Sequence, residues 1–111
     1  RTDYGGRRDW DRNWRADRQY DWQSYRDRNR FAYHLPRYRL PYGYDYGYRR
    51  LSVGIFLDSF FFGRAYWISD PWAYRLPPVY EPYRWVRYFD DVVLIDLRTG
   101  RVVDVIYDVF W

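Results

Sequence analysis

The residue types that usually carry out catalysis or bind transition metals are scarce in this sequence. It has one histidine, His34, and one glutamate, Glu81, and it contains no cysteine or methionine. A nucleophilic mechanism would require His34 beside a serine, and the spacing of the serines indicates no such pair. The aspartates are spread along the chain, so no two stand out as the carboxylate pair of a glycoside hydrolase. We therefore predict that the protein is not an enzyme.

Three residues are candidates for a metal site. His34 supplies an imidazole, which suits a transition metal, and the adjacent Asp90 and Asp91 could hold a hard cation weakly. A single histidine beside a proline turn is more often a surface or hydrogen-bonding residue, and two aspartates in a turn more often belong to a polar loop. We therefore predict no resident cofactor from these residues alone.

The composition favours binding and assembly over chemistry. All nineteen basic residues are arginine, and 26% of the residues are aromatic. Guanidinium groups pair with carboxylates in a bidentate manner and stack on aromatic rings, and such side chains anchor many interfaces. Arginine and aspartate alternate through residues 9–28. This alternation cancels the positive field that a nucleic-acid site needs, so we do not expect nucleic acid as a partner.

The first half of the chain, residues 1–50, is predicted to form an arm rich in arginine, aspartate and aromatic residues. Residues 1–8 are glycine-rich and basic, and Asp9 is suited to cap a helix. The spacing in residues 9–30 predicts one or two short helices that expose arginine–aspartate pairs. Their shared aromatic stripe would consist of Trp10, Trp14, Trp22 and Tyr25.

Tyrosine recurs at every second position near the end of this arm, at Tyr42, Tyr44, Tyr46 and Tyr48. In an extended chain this spacing places all four rings on one face. Two interpretations remain open. The rings could lie over a core as part of a loop, or they could form a ladder that stacks on sugars or on a neighbouring chain.

The second half of the chain, residues 51–111, is predicted to be β-rich, which gives an α+β fold. Alternating apolar residues predict a small antiparallel sheet. Its strands would be residues 51–57, 66–68, 83–88, 92–97 and 101–109.

The last two strands are predicted to form a hairpin. Gly100 is suited to the left-handed position of a three-residue loop, residues 98–100. The resulting core face pairs Leu97 with Arg101, Ile95 with Val103 and Val93 with Val105. The reverse face pairs Asp96 with Val102 and Leu94 with Asp104, and its mixed character predicts partial contact with solvent.

The two ends of the chain bear on its location and its contacts. The sequence ends in Phe110 and Trp111, which must be covered by a core or by a partner. It begins with Arg1 rather than methionine, as an exported protein does after its signal peptide is removed. No apolar stretch is long enough to span a bilayer.

Several motifs in residues 64–111 together resemble the RcnB family. They are Tyr66-Trp67-Ile68, Asp70-Pro71-Trp72, Tyr74-Arg75-Leu76-Pro77-Pro78, Tyr83-Arg84-Trp85-Val86-Arg87-Tyr88, Asp90-Asp91, Leu94-Ile95-Asp96, Thr99-Gly100 and Val103-Asp104-Val105-Ile106. The resemblance implies a small, exported, non-enzymatic domain of the bacterial periplasm or cell exterior. It also implies a link to nickel and cobalt homeostasis, which is the only reason to expect either metal here.

Our leading hypothesis from the sequence is a structural protein that associates with copies of itself, as in the subunit of an extracellular fibre. The arm carries both charges and so complements itself, and the apolar last strand could add to a neighbour's sheet. The first alternative is a periplasmic nickel/cobalt homeostasis protein, and the second is a glycan-binding module. The residues expected to make these contacts are Trp10, Trp14, Trp22, Tyr42, Tyr44, Tyr46, Tyr48, Phe110 and Trp111.

Overall fold

The computed structural model describes residues 10–111, and the predictions for residues 1–8 and for Asp9 lie outside this range. The regular elements are α1 (Trp22–Arg28), β1 (Tyr83–Tyr88), β2 (Asp91–Asp96) and β3 (Arg101–Ile106). Short 3-10 helices lie at Arg12–Ala16, Arg18–Tyr20, Arg30–Tyr33, Ser59–Phe62, Arg64–Tyr66 and Pro71–Tyr74. This arrangement confirms the predicted α+β class.

The helices of the arm are short because an aspartate begins a new helix every few residues. Asp11, Asp17 and Asp21 each accept a hydrogen bond from the backbone N–H two or three residues later, as helix N-caps do. Hydrogen bonds from the side chain and backbone of Gln19 lower the pKa of Asp17. The predicted short helices are therefore confirmed, but Asp17 and Asp21 act as local caps and not as partners of the neighbouring arginines.

The sheet is antiparallel, with the order β1-β2-β3. β1 has the predicted bounds, β2 begins and ends one residue earlier than predicted, and β3 ends at Ile106 instead of residue 109. Phe89, with φ of 53°, makes the tight turn between β1 and β2. The predicted antiparallel sheet with a C-terminal hairpin is thus confirmed.

The register of the hairpin is correct only at the end away from its loop. Val93 pairs with Val105 and Leu94 with Asp104 as predicted, but Ile95 pairs with Val102 and Asp96 with Arg101. The predicted pairs of Ile95 with Val103, Leu97 with Arg101 and Asp96 with Val102 are therefore wrong. A four-residue turn joins the strands, since the N–H of Gly100 donates to the carbonyl of Asp96 at 2.7 Å. A β-bulge at Val103 absorbs the extra residue.

Both faces of the sheet are buried. One cluster includes Trp14, Trp85, Leu94, Ile106 and Phe110. The cluster on the opposite face includes Phe61, Tyr88, Val93, Ile95 and Val105. The prediction that the face of Leu94 and Asp104 is partly solvated is wrong, because the arm covers it and both residues are 0% exposed.

Two of the predicted strands are not regular strands. Residues 51–57 contribute an isolated bridge between Phe56 and Arg101, and residues 66–68 one between Trp67 and Val86. Gly54, with φ of +101°, turns the first of these segments out of an extended course. That segment still lies along the outer edge of β3. The N–H of Gly54 donates to Val102 at 2.8 Å, and the N–H of Leu57 donates to Gly100 at 2.9 Å.

Candidate functional site

The arm is fastened to the sheet by one buried carboxylate, that of Asp104. Trp10 and Trp14 each donate an indole N–H to its Oδ2 at 2.9 Å. Arg15 donates to Oδ2 at 3.0 Å and to Oδ1 at 2.8 Å, which is the bidentate geometry that carboxylates favour. Arg12 adds an ion pair at 3.6 Å. Asp104 therefore positions the arm, and the arm shields Asp104 from water.

Asp104 remains ionised in this setting. Burial acts to raise its pKa, but the hydrogen bonds from Arg15 and Trp14, the charge of Arg15 and the hydrogen bond from Trp10 outweigh burial and lower the pKa. The backbone N–H and carbonyl of Val105 also form hydrogen bonds in this cluster. Its N–H donates to Asp104 at 2.9 Å, and its carbonyl accepts from Arg15 at 2.9 Å.

The tryptophans of the arm and Phe110 lie inside the molecule. Trp10 and Trp14 meet Trp85 edge-to-face, with ring centroids 5.9 and 6.1 Å apart. Phe110 is 3% exposed, and Trp22 is half-buried against the same cluster. Trp14 and Phe110 therefore belong to the core, whereas Trp10 and Trp22 are half-buried against it.

The four alternating tyrosines do not share one face. Tyr42 is completely exposed in a turn with Gly43, whereas Tyr44 and Tyr46 pack on Phe61 with centroids 4.8 and 6.0 Å away. The Tyr44 hydroxyl donates to Asp58 at 2.6 Å, and this bond raises the pKa of Tyr44. Of the two interpretations, Tyr44 and Tyr46 fit the one in which the rings lie over a core.

The C-terminal residue lies against the segment that follows the arm's last 3-10 helix. The indole of Trp111 stacks on the imidazole of His34, with centroids 4.1 Å apart and ring planes 9° from parallel. Backbone hydrogen bonds join Trp111 to Tyr33 and Leu35, each at 3.1 Å. Trp111 is 42% exposed, and the neighbouring Phe31 is 85% exposed. The end of the chain is therefore tied down within the chain while its ring remains accessible.

The candidate metal ligands are engaged elsewhere. Asp91 is buried and accepts hydrogen bonds from the Tyr48 hydroxyl at 2.5 Å and from the Asp108 N–H at 2.9 Å. Burial raises the pKa of Asp91. Asp90 lies 3.4 Å from Arg87, and His34 is stacked on Trp111. Within residues 10–111 no three histidine, aspartate or glutamate side chains gather as metal ligands do, and one imidazole with engaged carboxylates does not fit a nickel or cobalt site.

Four apolar residues between positions 53 and 60 are exposed, and the sequence analysis missed them; we call them the exposed ridge. It consists of Val53, Ile55, Phe56 and Phe60, which are 40%, 37%, 66% and 65% exposed. The sequence analysis predicted a regular strand over residues 51–57, with no bend at Gly54. The signal that could have revealed the ridge is Gly54, because a glycine within a strand pattern often marks a bend.

Comparison with known proteins gives one family. A sequence model of the RcnB family, described as a nickel/cobalt transporter regulator, matches residues 57–104. The resemblance drawn from the motifs is therefore confirmed over this segment, which contains β1, β2 and the first residues of β3. The comparisons with curated proteins and with solved structures gave no match. Among the residues that the structure describes, no helix is both long and apolar enough to cross a membrane.

Proposed function

We propose that this RcnB-type chain is a non-enzymatic, exported protein of nickel and cobalt homeostasis that works in the bacterial periplasm. The observation that carries this proposal is the family match over residues 57–104. The matched segment supplies two of the three strands in full and the hairpin turn. It therefore contains most of the sheet against which the arm packs.

The carboxylates that could serve as metal ligands favour a role through contact with another macromolecule over a role in storing metal. The buried carboxylates of the matched segment already have partners. Asp96 is held by Arg98 at 2.9 Å and Asp104 by Arg15 at 2.8 Å, while Asp91 binds Tyr48. Using any of them as a metal ligand would take the acceptor from a guanidinium or, at Asp91, from the Tyr48 hydroxyl.

The metal part of this proposal is tested by titrating nickel and cobalt into the purified chain while following tryptophan fluorescence and heat. We expect at most weak binding, and the same binding in His34→Ala as in the wild type. Micromolar binding that is lost in His34→Ala would contradict the contact role and would support a metal site at the His34–Trp111 stack.

The homeostasis part is tested in a bacterium that lacks its own RcnB-type gene. The exported chain is expected to change the nickel or cobalt content of cells grown with added metal, as measured by mass spectrometry. The control is the same strain without the chain, and periplasmic amounts are checked by immunoblot. Equal metal contents with and without the folded chain would reject the homeostasis role.

A second candidate function is self-association, and the exposed ridge of Val53, Ile55, Phe56 and Phe60 favours it. Phe56 and Phe60 are each about two-thirds exposed, Val53 and Ile55 are partly exposed, and exposed apolar surface of this kind favours an interaction with a partner. Because the arm's tryptophans are engaged in the core, we assign the contact between copies to this ridge. Association into dimers or fibres would cover the ridge.

Light scattering coupled to size exclusion, followed by electron microscopy, tests this second candidate. We expect the wild type to associate as its concentration rises and the double variant Phe56→Ser, Phe60→Ser to remain monomeric. Phe31→Ser is the matched control, because Phe31 is 85% exposed and lies outside the ridge. A wild type that stays monomeric at high concentration would exclude this candidate.

A further inference from the structure

Three arginines that form no close ion pair within residues 10–111 line one small cavity. Arg18, Arg28 and Arg75 line a cavity of about 290 Å³ beside α1. Some arginines of the described residues form ion pairs, such as Arg15 with Asp104 and Arg98 with Asp96. By contrast, the guanidinium groups of Arg18 and Arg28 make no hydrogen bond and no close ion pair with any of residues 10–111. Unpaired cations that share a cavity attract an anion.

The third arginine is held in place for such a role. The guanidinium of Arg75 lies between two rings, 3.8 Å from the centroid of Tyr25 and 4.2 Å from that of Trp72. It also donates to the carbonyl of Trp72 at 2.7 Å. Its backbone is left-handed, with φ of 58°. A guanidinium that is fixed before binding loses less conformational entropy when it contacts an anion.

The cavity contains one carboxylate, and that carboxylate is already engaged. Asp21 accepts hydrogen bonds from the backbone N–H of Ser24 at 3.2 Å and from its hydroxyl at 2.8 Å. These two bonds lower the pKa of Asp21, and the charge of Arg28 contributes. Three cations therefore face one anion that is turned towards the start of α1, and the cavity has an excess of positive charge.

A larger groove adjoins this cavity and shares Arg18 and Asp21 with it. The groove has a volume of about 610 Å³ and lies between the arm and β3. The residues that line it include the aromatic Tyr20 and Trp22. Aromatic faces beside polar side chains such as Gln23 provide both stacking surface and hydrogen-bonding groups for a sugar ring.

We propose that this groove and cavity together bind an acidic polysaccharide. A sugar ring lies in the groove against Trp22 and its neighbours, and a carboxylate or phosphate on the polymer contacts Arg18, Arg28 and Arg75. Salt weakens the binding, because the arginines are solvent-accessible and their attraction for an anion is screened. This site is independent of the proposed homeostasis role and lies apart from the alternating tyrosines.

The test measures binding of the whole chain to immobilised alginate, a polyuronate, and to neutral dextran. We expect binding to alginate, little binding to dextran, and a loss of alginate binding at about 1 M salt. Arg28→Gln is expected to weaken alginate binding about tenfold, the effect of losing one charge-assisted contact. Arg39→Gln removes the same charge from an exposed position outside the groove and is expected to bind like the wild type.

Each other outcome rejects part or all of the proposal. Equal binding by Arg28→Gln and Arg39→Gln would show that alginate responds to net charge and not to this site. Equal binding of dextran and alginate would show that the arginines do not contribute to binding the polysaccharide. Tighter binding to phosphatidylglycerol vesicles than to alginate would assign the arginines to a lipid surface instead of a polysaccharide. The Arg28 side chain makes no hydrogen bond within residues 10–111, so Arg28→Gln is expected to unfold at the same temperature as the wild type. Unchanged thermal unfolding would then show that a loss of binding is not a loss of folding.

Discussion

Arg15 donates two hydrogen bonds to the carboxylate of Asp104 across 89 positions of sequence, with distances of 3.0 and 2.8 Å. Asp104 lies on β3 and Arg15 lies in the arm, so this contact closes the arm over one face of the sheet. The carboxylate is fully buried, whereas the side chain of Arg15 is 38% exposed. The arm is therefore bound through a polar contact inside an otherwise apolar cluster.

Asp104→Ala is predicted to destabilise the chain by about 1–3 kcal/mol for each buried donor that loses its acceptor. The substitution leaves the indole N–H groups of Trp10 and Trp14 without this acceptor and removes two hydrogen bonds of Arg15. Urea unfolding followed by tryptophan fluorescence measures the loss. Limited proteolysis is expected to cut the variant first in the arm, since Trp10 and Trp14 lose their anchor.

Asp45→Ala is the control for this experiment, because Asp45 is exposed, and it is expected to change the stability by less than about 0.5 kcal/mol.

The stabilisation by Asp104 also has a definite dependence on pH. Because its pKa is lowered in the fold, the stabilisation is complete above the ordinary carboxyl pKa of about 3.9 and is lost as the pH falls through the folded-state value. Equal stabilities of the wild type and Asp104→Ala at neutral pH would contradict the anchoring role.

Asp91→Asn is predicted to show the opposite dependence on pH. Burial raises the pKa of Asp91, so the folded chain binds this proton more tightly than the unfolded chain does. The stability of the wild type therefore falls as the pH rises from about 3.9 through the raised value. The amide of the variant carries no charge and can still accept from the Asp108 N–H, so the variant escapes this loss.

Urea unfolding at several values between about pH 4 and about pH 7 tests this prediction. The stability of Asp91→Asn relative to the wild type is expected to increase with pH across this range. Asp70→Asn, at an exposed carboxylate, is expected to follow the wild type. A constant difference between Asp91→Asn and the wild type at every pH would show that Asp91 does not titrate in a buried setting.

The parts of the fold that follow from local chemistry could be predicted from the sequence. The alternation in residues 83–88 gave β1 with its observed bounds, and Gly100 has the left-handed φ of 80° that closes the hairpin. The bulge at Val103 could not be predicted, because a slip of one residue leaves a run of valines almost equally apolar on either face. Long-range packing decides between the two registers.

The polar contacts were harder to predict than the strands. Asp104 looked like a charge on the solvated side of a strand, and its burial depends on an arm 89 positions away. One signal pointed to it: a buried indole N–H needs an acceptor, and the arm contains two tryptophans four residues apart. The alternation of arginine and aspartate likewise suggested that each arginine has a partner. It does not reveal that Asp21 caps α1 and so forms no close ion pair with the nearby arginines.

Gly100→Ala is predicted to destabilise the chain strongly, because two costs add at one position. The φ of +80° disfavours any L-residue with a Cβ, and the new Cβ would lie 2.6 Å from the carbonyl oxygen of Leu57, which is backbone and cannot turn aside. The conformational cost alone is about 1–3 kcal/mol. The clash would also push residues 54–57 off the edge of β3, where Leu57 donates to the Gly100 carbonyl at 2.9 Å.

The matched control is Gly47→Ala, since no atom lies within 4 Å of a Cβ built at Gly47. A glycine that has room for a methyl group and no left-handed backbone is expected to gain about 0.4–1 kcal/mol from the stiffer unfolded chain. The two variants remove the same hydrogen, so any difference in their urea midpoints reports the environment of Gly100. Similar midpoints for the two variants would mean that residues 54–57 are free to leave the hairpin, and the exposed ridge beside it would then have no fixed support.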